Sequence, residues 1–161
     1  NAKFRNFFKK PFKMEESIIN NIVLISGGFD PIHSGHIKLI KDASNYGDVV
    51  ILLNSDVWLR NKKGREFLSY YERETILKSI KNVIEVLPCG NKDITCIDGI
   101  RTAISKYAGR KIFFANGGDR NTETTPEKSF CNENNIENLW DIGGNDKSNS
   151  SSLILKRWDE K

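Results

Sequence analysis

Short apolar runs, each closed by turn-forming residues, recur along the chain. Ile22, Val23, Leu24 and Ile25 form the first, and Gly27 and Gly28 end it. A continuous apolar run of this length, without polar alternation, reads as a strand buried on both faces. Similar runs occupy residues 48–53, 83–87 and 111–115, and a fifth lies at residues 136–142.

Helical periodicity fills the intervals. Ile37, Ile40 and Ala43 share one face. Ser69 and Glu72 have the spacing of a capping box, with Ile76, Leu77 and Ile80 following. Ile97, Ile100, Ile104 and Tyr107 recur at helical spacing up to Gly109, a helix stop. Thr125, Pro126 and Glu127 read as N-cap, first helical position and first-turn acid. Leu153, Ile154, Leu155 and Trp158 predict a short terminal helix. Strands alternating with helices imply right-handed βαβ units. The expected fold is α/β: a Rossmann-like single domain with a parallel sheet of about five strands and helices on both faces.

Ligands in such sheets lie beyond the carboxyl ends of the strands. The informative polar segments fall there: residues 27–36, 54–65, 116–120 and 146–152. The loops after strands one and five reach one edge only if the chain reverses direction beside strand one. Residues 143–152, rich in Asn, Ser and Gly, read as a loop.

Composition narrows the function classes. The chain has 161 residues, which suits one domain. No apolar run is long enough for a membrane span, and no signal-peptide pattern opens the sequence. Three cysteines, none in a C-x-x-C pair, argue against structural zinc and a disulfide framework. A reducing, cytoplasmic setting is expected. The net charge of +4 is uneven. Residues 1–13 carry Lys3, Arg5, Lys9, Lys10 and Lys13 with no acid, while the rest holds 20 basic and 21 acidic residues. We read residues 1–21 as a basic extension packing a few aromatics, in preference to a tail for nucleic acid or membrane, and residues 22–161 as the domain. Nucleic acid is not an expected partner, and a homodimer is compatible with the reading.

The densest chemical signal is residues 27–36. Gly27 and Gly28 let the backbone turn tightly beside a ligand. His33 and His36, the only histidines, flank Gly35 at a strand-to-helix junction, where helix N–H groups favour an anion. Such a group of donors suits a polyphosphate whose charge must be stabilised in a transition state.

This segment resembles the H-x-G-H signature of the cytidylyltransferase-like nucleotidyltransferases, with Phe29 and Asp30 ahead of it. The resemblance continues through Asn54, Ser55 and Asp56, a Lys-rich stretch ending at Lys63 and Gly64, and Arg73 in the next helix. It extends through Gly117, Gly118 and Asp119 to Ser150, Ser151 and Ser152. The order is similar to that of the glycerol-3-phosphate cytidylyltransferases and heptose-phosphate adenylyltransferases. Asn149 stands where the family pattern has Ile, and the basic residue near that motif's end falls on Leu155 or Lys156. The nicotinate- and pantetheine-type adenylyltransferases are the alternative within the superfamily. A non-catalytic nucleotide-binding module is the alternative outside it.

The resemblance implies transfer of AMP or CMP from ATP or CTP to a small phosphorylated sugar, polyol or alcohol, with pyrophosphate leaving. It assigns His33, His36 and Lys63 to catalysis. Gly27, Gly28, Phe29, Asp30, Gly35, Gly118, Asp119 and Ser150 to Ser152 go to the nucleotide. Asn54, Asp56 and Arg73 go to the acceptor, Arg73 by a forked contact with its phosphate. Mg²⁺ is the expected cofactor, mostly phosphate-held, with Asp30 as its candidate carboxylate. A phosphate monoester is largely dianionic at neutral pH, its second pKa being roughly 6. Its oxygen attacks the α-phosphorus directly, so no covalent nucleophile is required.

Overall fold

The computed structural model describes residues 20–118, 126–144 and 149–160. Five parallel strands form one sheet: β1 (Ile22–Gly27), β2 (Asp48–Asn54), β3 (Val83–Cys89), β4 (Ile112–Gly117) and β5 (Glu137–Ile142). Among the described residues the helices are α1 (Ser34–Ala43), α2 (Asp56–Lys63), α3 (Tyr70–Lys78), α4 (Ile97–Lys106), α5 (Lys128–Glu133) and α6 (Ser151–Asp159). The spatial strand order is β3-β2-β1-β4-β5. The chain therefore reverses at β1, and the crevice between the ends of β1 and β4 is the switch point where such sheets take ligands.

Alternation along β1 explains why its run is uniformly apolar. Ile22 and Leu24 join the core layer under α4 and α5, while Val23 and Ile25 join the layer under α1 and α3. Each face needs its own helices, so the two-sided arrangement follows from the strands' composition. No helix among the described residues is long and apolar enough to cross a membrane.

Several local expectations need correction. Ile37, placed on the buried face of α1, is 43% exposed, while Ile40 and Ala43 are buried. Helix α2 was not foreseen within residues 54–65, although its signals are present. Ser55 caps it by accepting from the Trp58 N–H at 3.1 Å, Asp56 opens the first turn, and Gly64 (φ 86°) closes it. Its apolar stripe is thin, with Leu59 as its one buried residue, and so gave no periodic signal. Lys63 is accordingly the last residue of a helix and not part of a loop. The N-cap of α5 is Glu127, which displaces Pro126 from the first helical position. Thr125 and residues 1–19 lie outside the described residues.

Candidate active site

At the head of α1 the two histidines cap the helix reciprocally. His33 is the N-cap, and its Nδ1 accepts from the Gly35 N–H at 3.1 Å. His36, three residues on, accepts the His33 N–H at its own Nδ1, at 3.2 Å. The rings lie 3.9 Å apart between centroids. Burial lowers the pKa of both. For His36 burial comes first, then His33 and Lys63, and together they bring it to about 3. Both imidazoles are therefore neutral at physiological pH. With Nδ1 accepting, each must carry its proton on Nε2. The capping box thus fixes the tautomer and leaves two Nε2–H donors.

The turn ahead of them departs from expectation. The left-handed backbone falls on Phe29 (φ 51°) and on neither Gly27 nor Gly28. The two glycines serve packing: a Cβ at Gly28 would stand 2.8 Å from the Leu59 side chain, and one at Gly27 would stand 3.1 Å from the Phe29 ring. Phe29 is buried, and its ring lies 4.7 Å from that of His36, so it supports the histidine from behind. Gly35 makes room for the His33 imidazole, since a Cβ there would come within 2.9 Å of Cε1.

A cavity of about 740 Å³ opens beyond this helix head. His33, Gly35, His36 and Lys38 line it from α1 and its cap; Lys62 and Lys63 line it from the end of α2. Leu39, Gly117, Gly118, Ile142, Gly143, Gly144 and residues 149–153 complete the wall. The structure thus brings together His33, His36, Gly35, Lys63, Gly118, Ser150, Ser151 and Ser152, which the sequence places in four separate segments. Asp119 lies outside the described residues. Lys38, Gly143 and Gly144 were not anticipated. Gly143 (φ 84°) and Gly144 (φ 74°) hold left-handed conformations, and their adjacency in sequence was the available signal.

The serines and Lys63 have protein partners as well. Ser150 caps α6 by accepting from the Leu153 N–H at 3.1 Å. The Ser151 hydroxyl donates to the Pro31 carbonyl at 2.8 Å and ties α6 to the histidine loop. Lys63 Nζ donates to the Asp30 carbonyl at 3.2 Å. Burial lowers the Lys63 pKa, against the upward pull of the Asp30 carboxylate.

Two assignments are overturned by burial. Arg73 is 1% exposed. Its Nε donates to the Leu68 carbonyl, one terminal nitrogen donates to the Gly28 and Asn54 carbonyls, and the other meets the Asp56 carboxylate at 2.7 Å. It holds the ends of β1 and β2 together and presents no fork to an acceptor phosphate. Asp56 is its ion-pair partner, and Asn54 is buried, with its side-chain oxygen accepting from Cys89 Sγ. Asp30 is also buried, and its two carboxylate oxygens accept the Phe67 and Leu68 N–H groups, each at 2.7 Å. A carboxylate closed in this way does not fit a metal ligand.

A second cavity, of about 480 Å³, adjoins the end of β3 and is walled by Val57, Trp58, Asn61, Gly90 and Ile94, among others. Lys62 lines this cavity and the larger one, and its ammonium sits 4.6 Å from the centroid of the Trp58 ring. Gly90 (φ 71°) gives Trp58 its place, since a Cβ there would lie 2.8 Å from the indole. Trp58 was not foreseen, because nothing in the sequence joins it to residue 90.

A histidine-capped helix head at the switch point of a β3-β2-β1-β4-β5 sheet defines a class. The chain belongs to the cytidylyltransferase-like family, which it matches over residues 24–142. It is 27% identical over 165 residues to the bifunctional protein HldE of Syntrophotalea carbinolica, an alignment covering 98% of this chain and 32% of that protein. It is 39% identical over 67 residues to glycerol-3-phosphate cytidylyltransferase of Bacillus subtilis, covering 41% of this chain and 52% of that enzyme. This chain thus spans about a third to a half of the length of these relatives. The crystal structure of a lipopolysaccharide core biosynthesis protein from Thermoplasma volcanium shares the fold, with a TM-score of 0.60 at 19% identity over 78% of this chain and 98% of that one.

Proposed function

We propose that the chain transfers AMP or CMP from ATP or CTP to a small phosphorylated sugar, polyol or alcohol and releases pyrophosphate. The observation that carries this reading is the pair of neutral Nε2–H donors on the wall of a cavity that also holds Lys38, Lys62 and Lys63. Among the described residues of that wall there is no carboxylate. Such a wall binds a polyanion and stabilises charge that moves between phosphates.

The acceptor's phosphate oxygen forms a bond to the α-phosphorus as the bond to the bridging oxygen breaks, and the electron pair leaves with pyrophosphate. His33 and His36 donate to the oxygens around that bond without giving up a proton. Lys63 and the N–H groups at the start of α6 hold the triphosphate. Magnesium would neutralise charge on the triphosphate when bound with it, and the buried Asp30, its carboxylate closed by the Phe67 and Leu68 N–H groups, is unsuited to hold it. The acceptor enters from the second cavity, where Lys62 meets its phosphate. Likeness to a glycerol-3-phosphate cytidylyltransferase supports a polyol phosphate among the acceptors.

The test is a matrix of ATP, CTP, GTP and UTP against glycerol, sugar, choline and ethanolamine phosphates, following pyrophosphate release. One donor–acceptor pair with turnover well above the donor alone is the expected result. Triphosphate binding with no pyrophosphate from any pair would instead favour the non-catalytic module.

A further inference from the structure

We propose that Lys38, to which the family resemblance gives no role, holds the departing pyrophosphate; this rests on the functional reading above. Lys38 lies two residues beyond His36 on α1 and lines the larger cavity. Its Nζ stands 3.1 Å from where a Cβ on Gly144 would be, and the backbone of Leu39 stands 3.0 Å from where one on Gly143 would be. The left-handed Gly143–Gly144 turn is thus packed onto α1 at this point, and the ammonium forms part of the cavity wall.

The direction of reaction assigns this ammonium to one end of the triphosphate. The two cavities share Lys62, so an acceptor in the smaller one meets the α-phosphorus from the Lys62 side. In-line displacement places the entering and leaving oxygens on opposite sides of the phosphorus. Pyrophosphate therefore leaves toward the wall built by α1, the Gly143–Gly144 turn and the head of α6. The other donors on that wall are neutral: two imidazole N–H groups, serine hydroxyls and helix-terminal N–H groups. Lys38 is the one ammonium there among the described residues. The leaving group gains negative charge as the bond breaks, and a cation at that end stabilises the transition state more than the ground state.

The experiment is calorimetric binding of inorganic pyrophosphate, and separately of AMP and CMP, at one Mg²⁺ concentration. It compares the parent chain with Lys38→Met, Lys38→Arg and Lys41→Met; Lys41 is on the same helix and outside the cavity lining. Lys38→Met should weaken pyrophosphate about tenfold, the scale of one charge-assisted hydrogen bond. Lys38→Arg should restore most of that loss. Lys41→Met should bind pyrophosphate as the parent does, and monophosphate binding should be the same throughout. Pyrophosphate binding unchanged in Lys38→Met overturns the proposal and leaves the wider reading standing. Equal losses for monophosphate and pyrophosphate, or a similar loss in Lys41→Met, overturn it too. A folded parent chain that binds neither pyrophosphate nor nucleotide overturns the functional reading itself.

Discussion

The loop after β1 and the segment after β2 carry equally dense polar motifs, and the fold uses them in opposite ways. After β1, His33 and His36 satisfy each other's backbone through Nδ1 and keep Nε2 for a ligand. After β2, Asn54, Asp56 and Arg73 turn inward and bond to one another and to the Gly28 and Leu68 carbonyls. In the proposed reaction the first set meets substrate, and the second fixes the frame on which the first is mounted. A residue's presence in a family motif does not separate these roles, but counting its donors against its protein acceptors does.

The largest expected effect comes from breaking the frame. Arg73→Met leaves three carbonyls and the Asp56 carboxylate without their partner. Removing one member of a buried ionic network costs about 3–5 kcal/mol. Urea unfolding should show that loss. A fully stable Arg73→Met protein whose only defect is a raised acceptor KM would return Arg73 to the acceptor site and dissolve the comparison.

On the other side, His36→Ala should lower kcat by roughly 10², the scale of one lost transition-state donor. His33→Asn sharpens the point. Asparagine caps a helix well, so stability should stay within about 1 kcal/mol of the parent while turnover falls as in the alanine variant. Turnover that survives in His33→Asn would mean that His33 acts only as a cap.

The same histidines set an acid limit. His36 has its pKa lowered from 6.5 to about 3 by burial and then by His33 and Lys63, so below pH 6.5 the unfolded chain binds a proton that the folded chain resists. The stability contributed by neutral His36 is present above pH 6.5 and is lost as pH falls toward 3. After discounting for solvent around the ring the loss is on the order of 2 kcal/mol. Thermal melts from pH 7 to pH 4 should fall less steeply for His36→Asn than for the parent; equal slopes would place the ring in water.

Asp30→Asn gives the smallest effect. An amide oxygen replaces one carboxylate acceptor and an NH₂ faces the other backbone donor, so about 1–2 kcal/mol of stability should be lost. The Mg²⁺ dependence of triphosphate binding, followed by calorimetry, should not change. A shifted Mg²⁺ requirement would restore Asp30 as a metal ligand.

What the sequence disclosed and what it hid divide along the range of the interactions. The first four strands are announced by their own apolar runs, and the histidine segment is contiguous, so both were legible locally; β5, with three polar residues in six, was only weakly marked. The order of motifs also located part of the cavity wall, down to Ser150, Ser151 and Ser152. The inward turn of Arg73 was not legible, because its acceptors Gly28 and Asn54 lie 45 and 19 residues away. Helix α2 escaped for a different reason: it buries Leu59 alone, and caps were its main mark. Lys38 is not marked by any motif, since nothing along the chain connects it to Gly144.

In the proposed reaction His33 and His36 are neutral Nε2–H donors aimed at a triphosphate. The chain has only these two histidines, so ¹⁵N-imidazole NMR resolves the question with two ring systems. At pH 7 both should show an unprotonated Nδ1 and a protonated Nε2, and Mg·ATP or Mg·CTP should shift both Nε2 resonances. A protonated Nδ1 on either ring, or Nε2 shifts that stay fixed at saturating triphosphate, would contradict it.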